Sequence, residues 1–370
     1  MTSRQRLTLA MQGKPTDRVP LHVWGVRPYD ESWVNDRHES WEPLIDAVRE
    51  HGDHCCGWGV PSGWFLTDSD EVEARQSVSP IDDWDLVTTT WSTPKGELTL
   101  VDQISHSDYP SLQQEFPVKT ADDLEAFLSV PYVPPKPDLG GFTAYDEEIG
   151  ESGVVFISLD DPVMNVHSLL GSETMAIWSV ERRDAVIGLV RLFEERILEF
   201  VEYLISGGVK GVFAFLGAEY AGPPLQRPKD FREFVTEPMT KIAKVVHDAG
   251  SLVHVHCHGP MQEILEDMVE LGADCLHPIE APPLGDTPLA EAKQRVGGQV
   301  CLHGNIQVGD LFAETPDVIR GMVKAAIDDA GGGGRFILCP TASPYNPKLS
   351  PLVVDNYMAM IDTALEYGHY

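Results

Sequence analysis

Three histidines at alternate positions, His254, His256 and His258, stand in the stretch Ser251-Leu252-Val253-His254-Val255-His256-Cys257-His258-Gly259. Side chains on an extended strand alternate between faces, so the imidazoles share one face while Val253, Val255 and Cys257 share the other. Imidazole is the commonest neutral metal ligand and exchanges its proton near neutral pH. A row of them at a strand end, just before Gly259-Pro260, marks a metal or acid–base site. His256 and His258 are nearest the strand's end. His254 lies deeper and orients its neighbours, and Cys257 points away from the row.

The elements that must position this row alternate regularly. Strands are expected at Val154–Leu159, Val209–Leu216, the histidine stretch, Cys275–Ile279, Val300–Leu302 and Phe336–Leu338. Helical periodicity fills the intervals: two pieces up to Ile205, then Phe231–Ala249, Met261–Leu271, Pro288–Val296, Pro316–Ala330 and Pro351–Tyr367. Two earlier strands, Val19–Gly25 and His54–Val60, bring the β units to eight. Strict alternation of this kind argues for parallel strands buried between helices. The expected fold is a single α/β domain over residues 1–370, a (β/α)8 TIM barrel, with an open doubly wound sheet as the alternative. Residues 80–145 break the rhythm. Thr88–Trp91 and Glu97–Ile104 flank a Pro94-Lys95-Gly96 turn, and the stretch that follows contains Pro131, Pro134, Pro135 and Pro137. This region is read as an inserted β-hairpin and loop elaboration over one end of the barrel.

Active sites of such barrels lie at the C-terminal ends of the strands. Those ends carry Asp160 and Asp161, Glu219, His256 and His258, His277 and Glu280, His303 and Asn305, and Cys339. Imidazoles, carboxylates and a thiol at one mouth are the ingredients of a zinc site. Each residue also has a plainer reading. Asp160 or Asp161 precedes Pro162 as a helix cap would, and Glu280 is an ordinary loop carboxylate. Cys275 and Cys301, inside strands, are small buried apolar residues, which leaves Cys339 as the candidate thiolate. Gly331–Gly334 precedes a strand rather than a helix and is a connection, not a phosphate loop. There is no Gly-x-Gly-x-x-Gly at a helix start, no Walker sequence and no Gly-x-Ser-x-Gly elbow.

Charge narrows the partners. The 370 residues carry 58 acidic and 27 basic side chains, a formal net charge of −31. Such a surface repels phosphate backbones and anionic lipid, so no nucleic acid and no membrane partner is expected. No apolar run reaches a membrane span's length and the N-terminus has no signal-peptide core. Six cysteines in a chain this long make no disulfide framework, so a reducing, cytoplasmic location is expected.

At this point the chain resembles the uroporphyrinogen decarboxylase superfamily, which includes cobalamin-linked zinc methyltransferases. The resemblance rests on Thr2-Ser3-Arg4-Gln5-Arg6 with Pro15-Thr16-Asp17-Arg18-Val19-Pro20, on His256-Cys257-His258-Gly259, on His303-Gly304-Asn305-Ile306, and on Phe336-Ile337-Leu338 with its Pro-rich loop. It implies the (β/α)8 barrel independently of the alternation. The decarboxylases carry an Arg-rich loop after the first strand for a polycarboxylate substrate, whereas Trp24-Gly25-Val26-Arg27-Pro28-Tyr29 holds one arginine. The methyltransferase branch shows His-x-Cys-Gly and a later cysteine as zinc ligands. Its first His falls on His256, its Cys falls on His258, and its later Cys falls near Ala342, three residues beyond Cys339.

The resemblance therefore implies a zinc-dependent methyltransferase moving a methyl group between a small methylated substrate or thiol and a corrinoid (cobalamin) on a carrier protein. Zinc is expected on His256, His258 and Cys339, with Glu219 or water fourth. Glu219, Glu280, Asp160, Asp161 and His303 are the candidate catalytic residues, and His277 and Asn305 the candidate cofactor-binding ones. A homodimer is left open. The competing readings are a uroporphyrinogen decarboxylase-like carboxy-lyase of tetrapyrrole metabolism and a non-catalytic barrel that binds a corrinoid or tetrapyrrole.

Overall fold

The structure is a computed structural model describing residues 1–107 and 109–369. Its strands, in chain order, are β1 (His54–Gly59), β2 (Glu73–Ile81), β3 (Trp84–Thr93), β4 (Gly96–Ser105), β5 (Leu112–Glu115), β6 (Gly153–Asp160), β7 (Val212–Leu216), β8 (Leu252–His256), β9 (Cys275–His277), β10 (Cys301–Ile306) and β11 (Phe336–Pro340). Seven of them form one parallel sheet in the order β1-β6-β7-β8-β9-β10-β11. From β6 onward, spatial order follows chain order, with a helical return between neighbours. This is the arrangement that right-handed βα units produce as they wind a sheet round.

The sheet curls until its two ends approach the same segment. Residues 19–25, expected as a first strand, make no ladder; Leu21 forms a single parallel bridge with Leu338 of β11. The His22 N–H donates to the Leu338 carbonyl and the Leu338 N–H to the Pro20 carbonyl, each at 2.9 Å. On the other side the Asp53 N–H, just before β1, donates to the Leu21 carbonyl at 2.6 Å. The reason for the interrupted ladder is local. Pro20 has no N–H, and the Leu21 N–H goes to the Asp53 carboxylate at 2.9 Å rather than to a neighbouring strand.

That carboxylate is fully buried and holds Arg6 Nη1 at 2.6 Å and Arg18 Nη1 at 2.8 Å. Arg6 also pairs with Asp17 at 2.7 Å, and Arg4 with Asp146 at 2.9 Å. Thr2 caps the helix Ser3–Met11 with a reciprocal bond from Gln5. The N-terminal residues that carry the family resemblance are thus a structural clamp. They seat Leu7, Ala10 and Met11 against Val154, Phe156, Cys275, Cys301 and Ile337, covering one end of the curled sheet's interior.

Outside this ring, the larger core lies between the sheet and the helices and includes Val253, Val255 and Cys257. The region after β1 forms a separate antiparallel sheet in the order β2-β3-β4-β5, wider than a hairpin over 88–104, with Pro94-Lys95 joining β3 to β4. Several other boundaries also move. β11 continues to Pro340, so Cys339 lies within the strand and is fully buried. β9 stops at His277 before Pro278, and the helix after β8 covers only Leu265–Glu270. No helix among the described residues is long and apolar enough to cross a membrane.

Candidate functional site

The parallel registers carry the alternation of β8 across its neighbours. His254 pairs with Cys275, and His256 with His277. Cys275 pairs in turn with Cys301, which sets His303 beside His277. The interior therefore has a lower layer of small apolar side chains and thiols, a middle layer of imidazoles, and a polar mouth. His254, His277 and His303 are fully buried, and His22 and His54 nearly so.

Trp24 is the platform for this middle layer. Its ring stacks on His277 at 4.1 Å between centroids and 10° between planes, on His256 at 5.2 Å, and on His254 at 6.0 Å. Trp24 and His22, from segment 19–25, are site residues beyond those the sequence analysis expects. The signal was present: Leu21 and Val23 alternate with His22 and Trp24 by the same parity that exposed the histidine row.

Hydrogen bonding fixes the protons. His277 Nε2 lies 3.2 Å from the Pro340 carbonyl, which only accepts, so that nitrogen carries the hydrogen. His277 Nδ1 is then the acceptor for the N–H of His256 Nδ1 at 2.9 Å. His256 is left with a lone pair on Nε2. Burial, and then the charged His258, pulls His256 down to about 3; burial, and then the cost of charging one imidazole beside others, holds His254, His277 and His303 well below the usual imidazole range. Burial likewise brings His22 and His54 to about 4. The middle layer is a set of neutral imidazoles.

The mouth is charged instead. His258 Nδ1 meets Glu280 Oε2 at 3.2 Å, and the Gly259 N–H donates to the same oxygen at 2.7 Å. Burial opposes charge on both groups. The bond to Glu280 still raises His258, and the bonds from His258 and Gly259 still lower Glu280, so the pair is ionic. Glu219 follows β7 through Gly217, whose φ of +118° and close approach to Met164 require glycine. Its Oε2 is buried without a partner, and burial raises its carboxyl above the ordinary value. Asp161 is also buried, but its carboxylate accepts from the Met164 N–H at 2.7 Å and caps the helix starting at Pro162. Its placement is that of a cap. Asp160, at the end of β6, borders a smaller cavity with Asn165.

A cavity of about 350 Å³ opens at this end. Its upper wall includes Arg27, Tyr29, Asp30 and Tyr145, and its floor includes His22, His54, Cys55, Phe156, His254 and His256. Of the expected residues, His256 lines this cavity, and His258, Glu280 and Glu219 gather beside it. His277 and His303 lie within the stacked layer, where they orient other imidazoles rather than border the cavity. Asn305, half-buried on β10, is not among the residues lining it.

The expected zinc ligands do not converge. His256 is tied to the near nitrogen of His277, Cys339 Sγ sits 3.7 Å from its far nitrogen, and His258 turns to Glu280. The reason is distance across the sheet, since β9 and β10 intervene between β8 and β11. Among the described residues, ligand atoms lie within 4.8 Å of one another in two other groups: His22, His303 and Cys339, and His254, Cys275 and His303.

Known proteins resemble this chain as follows. The family model for uroporphyrinogen decarboxylase (URO-D) matches residues 155–367. A methylcobamide:CoM methyltransferase, MtaA, from Methanosarcina barkeri is 24% identical over 224 residues, which are 60% of this chain and 60% of that protein. The match thus spans about 60% of the length of the curated methyltransferase. A uroporphyrinogen decarboxylase from Ralstonia pickettii is 41% identical over 70 residues, 19% of this chain and 17% of that one. A solved methyltransferase from Methanosarcina mazei superposes with a TM-score of 0.60 over 99% of both chains at 19% identity, which establishes likeness of fold.

Proposed function

Because the chain belongs to the uroporphyrinogen decarboxylase family, we propose that it is a methyltransferase of that family, moving a methyl group between a small methylated substrate or thiol and a corrinoid on a carrier protein. The proposal includes a closed (β/α)8 barrel in which segment 19–23 supplies the eighth side. It also includes a requirement for zinc. The expected ligands His256, His258 and Cys339 do not fit one ion, so no step below runs through the metal.

The observation that carries the reading is the mouth, where a neutral imidazole with a free Nε2 stands beside the ionic His258–Glu280 pair and the unpartnered Glu219 oxygen. A bound corrinoid supplies the carrier that accepts or gives up the methyl group. When a methylated substrate loses its methyl, the bond from methyl carbon to heteroatom breaks and the heteroatom keeps the electron pair, so it needs a proton. Burial favours the protonated form of Glu219, which delivers that proton from its carboxyl. In the reverse direction a thiol must lose its proton before its sulfur attacks the methyl carbon. The Glu219 carboxylate left by the forward step takes it back, and His256 Nε2, its imidazole held in place by His277 and Trp24, accepts a hydrogen bond that orients the thiol. Glu280 holds His258 charged, which stabilises negative charge developing on the heteroatom.

A carboxy-lyase acting on a tetrapyrrole polycarboxylate fits less well. The cavity's lining contains one arginine, Arg27, which lies 3.8 Å from the Asp30 carboxylate. An acidic substrate needs several guanidiniums. The test follows the corrinoid spectrum while the protein is mixed with methylcobalamin and a panel of thiols, coenzyme M among them. Protein-dependent demethylation, reduced about 100-fold or more in His256→Ala, is expected. Consumption of uroporphyrinogen without methyl transfer, or inertness toward both, refutes the proposal.

A further inference from the structure

We propose that His22, His303 and Cys339 form a binding site for a divalent ion of zinc's class, set behind the part of the cavity floor that His22 lines, within the buried imidazole layer. The ligand atoms of these three residues lie within 4.8 Å of one another, close enough to close on one ion with small side-chain adjustments. One nitrogen and one thiolate from β10 and β11 are joined there by a nitrogen from segment 19–23, the piece that bridges the ends of the sheet.

A second, independent observation is the set of unfilled and filled nitrogens. His303 is fully buried, and its Nε2 has no hydrogen-bond partner. A buried polar atom left unpaired is costly, and such atoms call for a ligand. Its other nitrogen, Nδ1, faces His254 Nε2 at 3.3 Å. His22 Nδ1 lies 3.0 Å from the Asp53 carbonyl, an acceptor only, and 3.4 Å from the Cys55 N–H; the shorter contact makes it the donor and leaves Nε2 with the lone pair. Metal-bound histidines characteristically donate their remote N–H to a carbonyl or similar acceptor, which fixes the ring and the tautomer. His22 has that arrangement toward the Asp53 carbonyl, and His303 Nδ1 has His254 Nε2 within hydrogen-bond reach.

The neighbouring group, His254, Cys275 and His303, is less suited. Its histidines face each other through nitrogens already bonded together, and Cys275 packs with Leu7, Met11 and Cys301 in an apolar cluster. His22, in contrast, lines the 350 Å³ cavity, which gives an ion a way in. Binding exchanges one proton: the Cys339 S–H is lost to solvent as the sulfur–metal bond forms, while both imidazoles bind neutral. This site needs no methyl transfer to exist. It therefore stands or falls separately from the proposed function.

The test uses full-length protein stripped with a chelator and titrated with Co²⁺, read by the near-ultraviolet thiolate-to-cobalt charge-transfer band. One equivalent should produce the band. Cys339→Ser should abolish it, His22→Gln should weaken binding about tenfold or more, and the His256→Ala, His258→Ala double variant should keep it. No band in the parent, a band that survives Cys339→Ser, or a band lost in the double variant each overturns the site. Circular dichroism reports whether Cys339→Ser folds. Where it does not, unchanged Co²⁺ affinity in His22→Gln overturns the proposal. A band without methyl transfer refutes the function alone, and methyl transfer without a band refutes the site alone.

Discussion

Acidification should unfold this protein through its own core. A histidine buried neutral must take up a proton when the chain unfolds, so the unfolded state binds more protons between the unfolded and folded values. Stability contributed this way is fully present above about pH 6.5 and is lost as pH falls toward the folded value. His22 and His54 lie at about 4 and His256 at about 3, so the loss begins near 6.5 and continues to about pH 4 for the first two. Each contributes about 1.4 kcal/mol at one pH unit below 6.5, or about 4 kcal/mol for the three together. That is a large share of a typical total stability of about 5–15 kcal/mol. His254, His277 and His303 shift in the same direction and steepen the loss. The assay is urea unfolding of chelator-treated protein at pH 7.5 and pH 5.5, with proton uptake measured by calorimetry in buffers of different ionisation heat. Stability equal at the two pH values to within about 1 kcal/mol, or unfolding without net proton uptake at pH 5.5, refutes the picture of a neutral imidazole layer.

Three further outcomes follow from named contacts. Asp53→Asn leaves Arg6 and Arg18 facing a neutral amide and should cost about 3 kcal/mol, read as a lower urea midpoint at unchanged slope. Asp161→Ala removes a helix cap, so about 1 kcal/mol of stability should be lost while methyl-transfer rates stay near the parent's. Glu219→Gln removes the proton donor of the proposed mechanism and should slow turnover of a methylated substrate about 100-fold with little change in unfolding midpoint, as measured by substrate demethylation and urea melts in parallel.

The sequence displayed the later half of the fold clearly because β and α periods alternate without interruption after Gly153. The histidine row was legible for the same reason: parity along β8 puts His254 and His256 inside and Cys257 in the outer core. Parity fixes a face but not a distance across the sheet. Parity therefore groups Cys339 with His256 and His258, although two strands separate them. Segment 19–25 had the right alternation, yet Pro20 and the pull of Asp53 make it a bridge rather than a ladder, and His22 and Trp24 went unassigned with it. β2 was harder still. All nine of its residues are exposed, and a strand with no buried face writes no apolar period into the sequence. The N-terminal motif pointed to the right family for a structural reason, since its arginines hold Asp53 at the start of the parallel sheet rather than touch the cavity.

The bond from His277 to the Pro340 carbonyl has a consequence for traffic. A relay along two imidazoles needs an acceptor at its far end that can take a proton and pass it on, and a peptide carbonyl cannot. The Cys339 sulfur, 3.7 Å from the same His277 nitrogen, is held as a thiol by burial and takes no proton either. The His256–His277 pair is therefore a brace rather than a wire, and a proton exchanged at this site stays on the cavity side of His256.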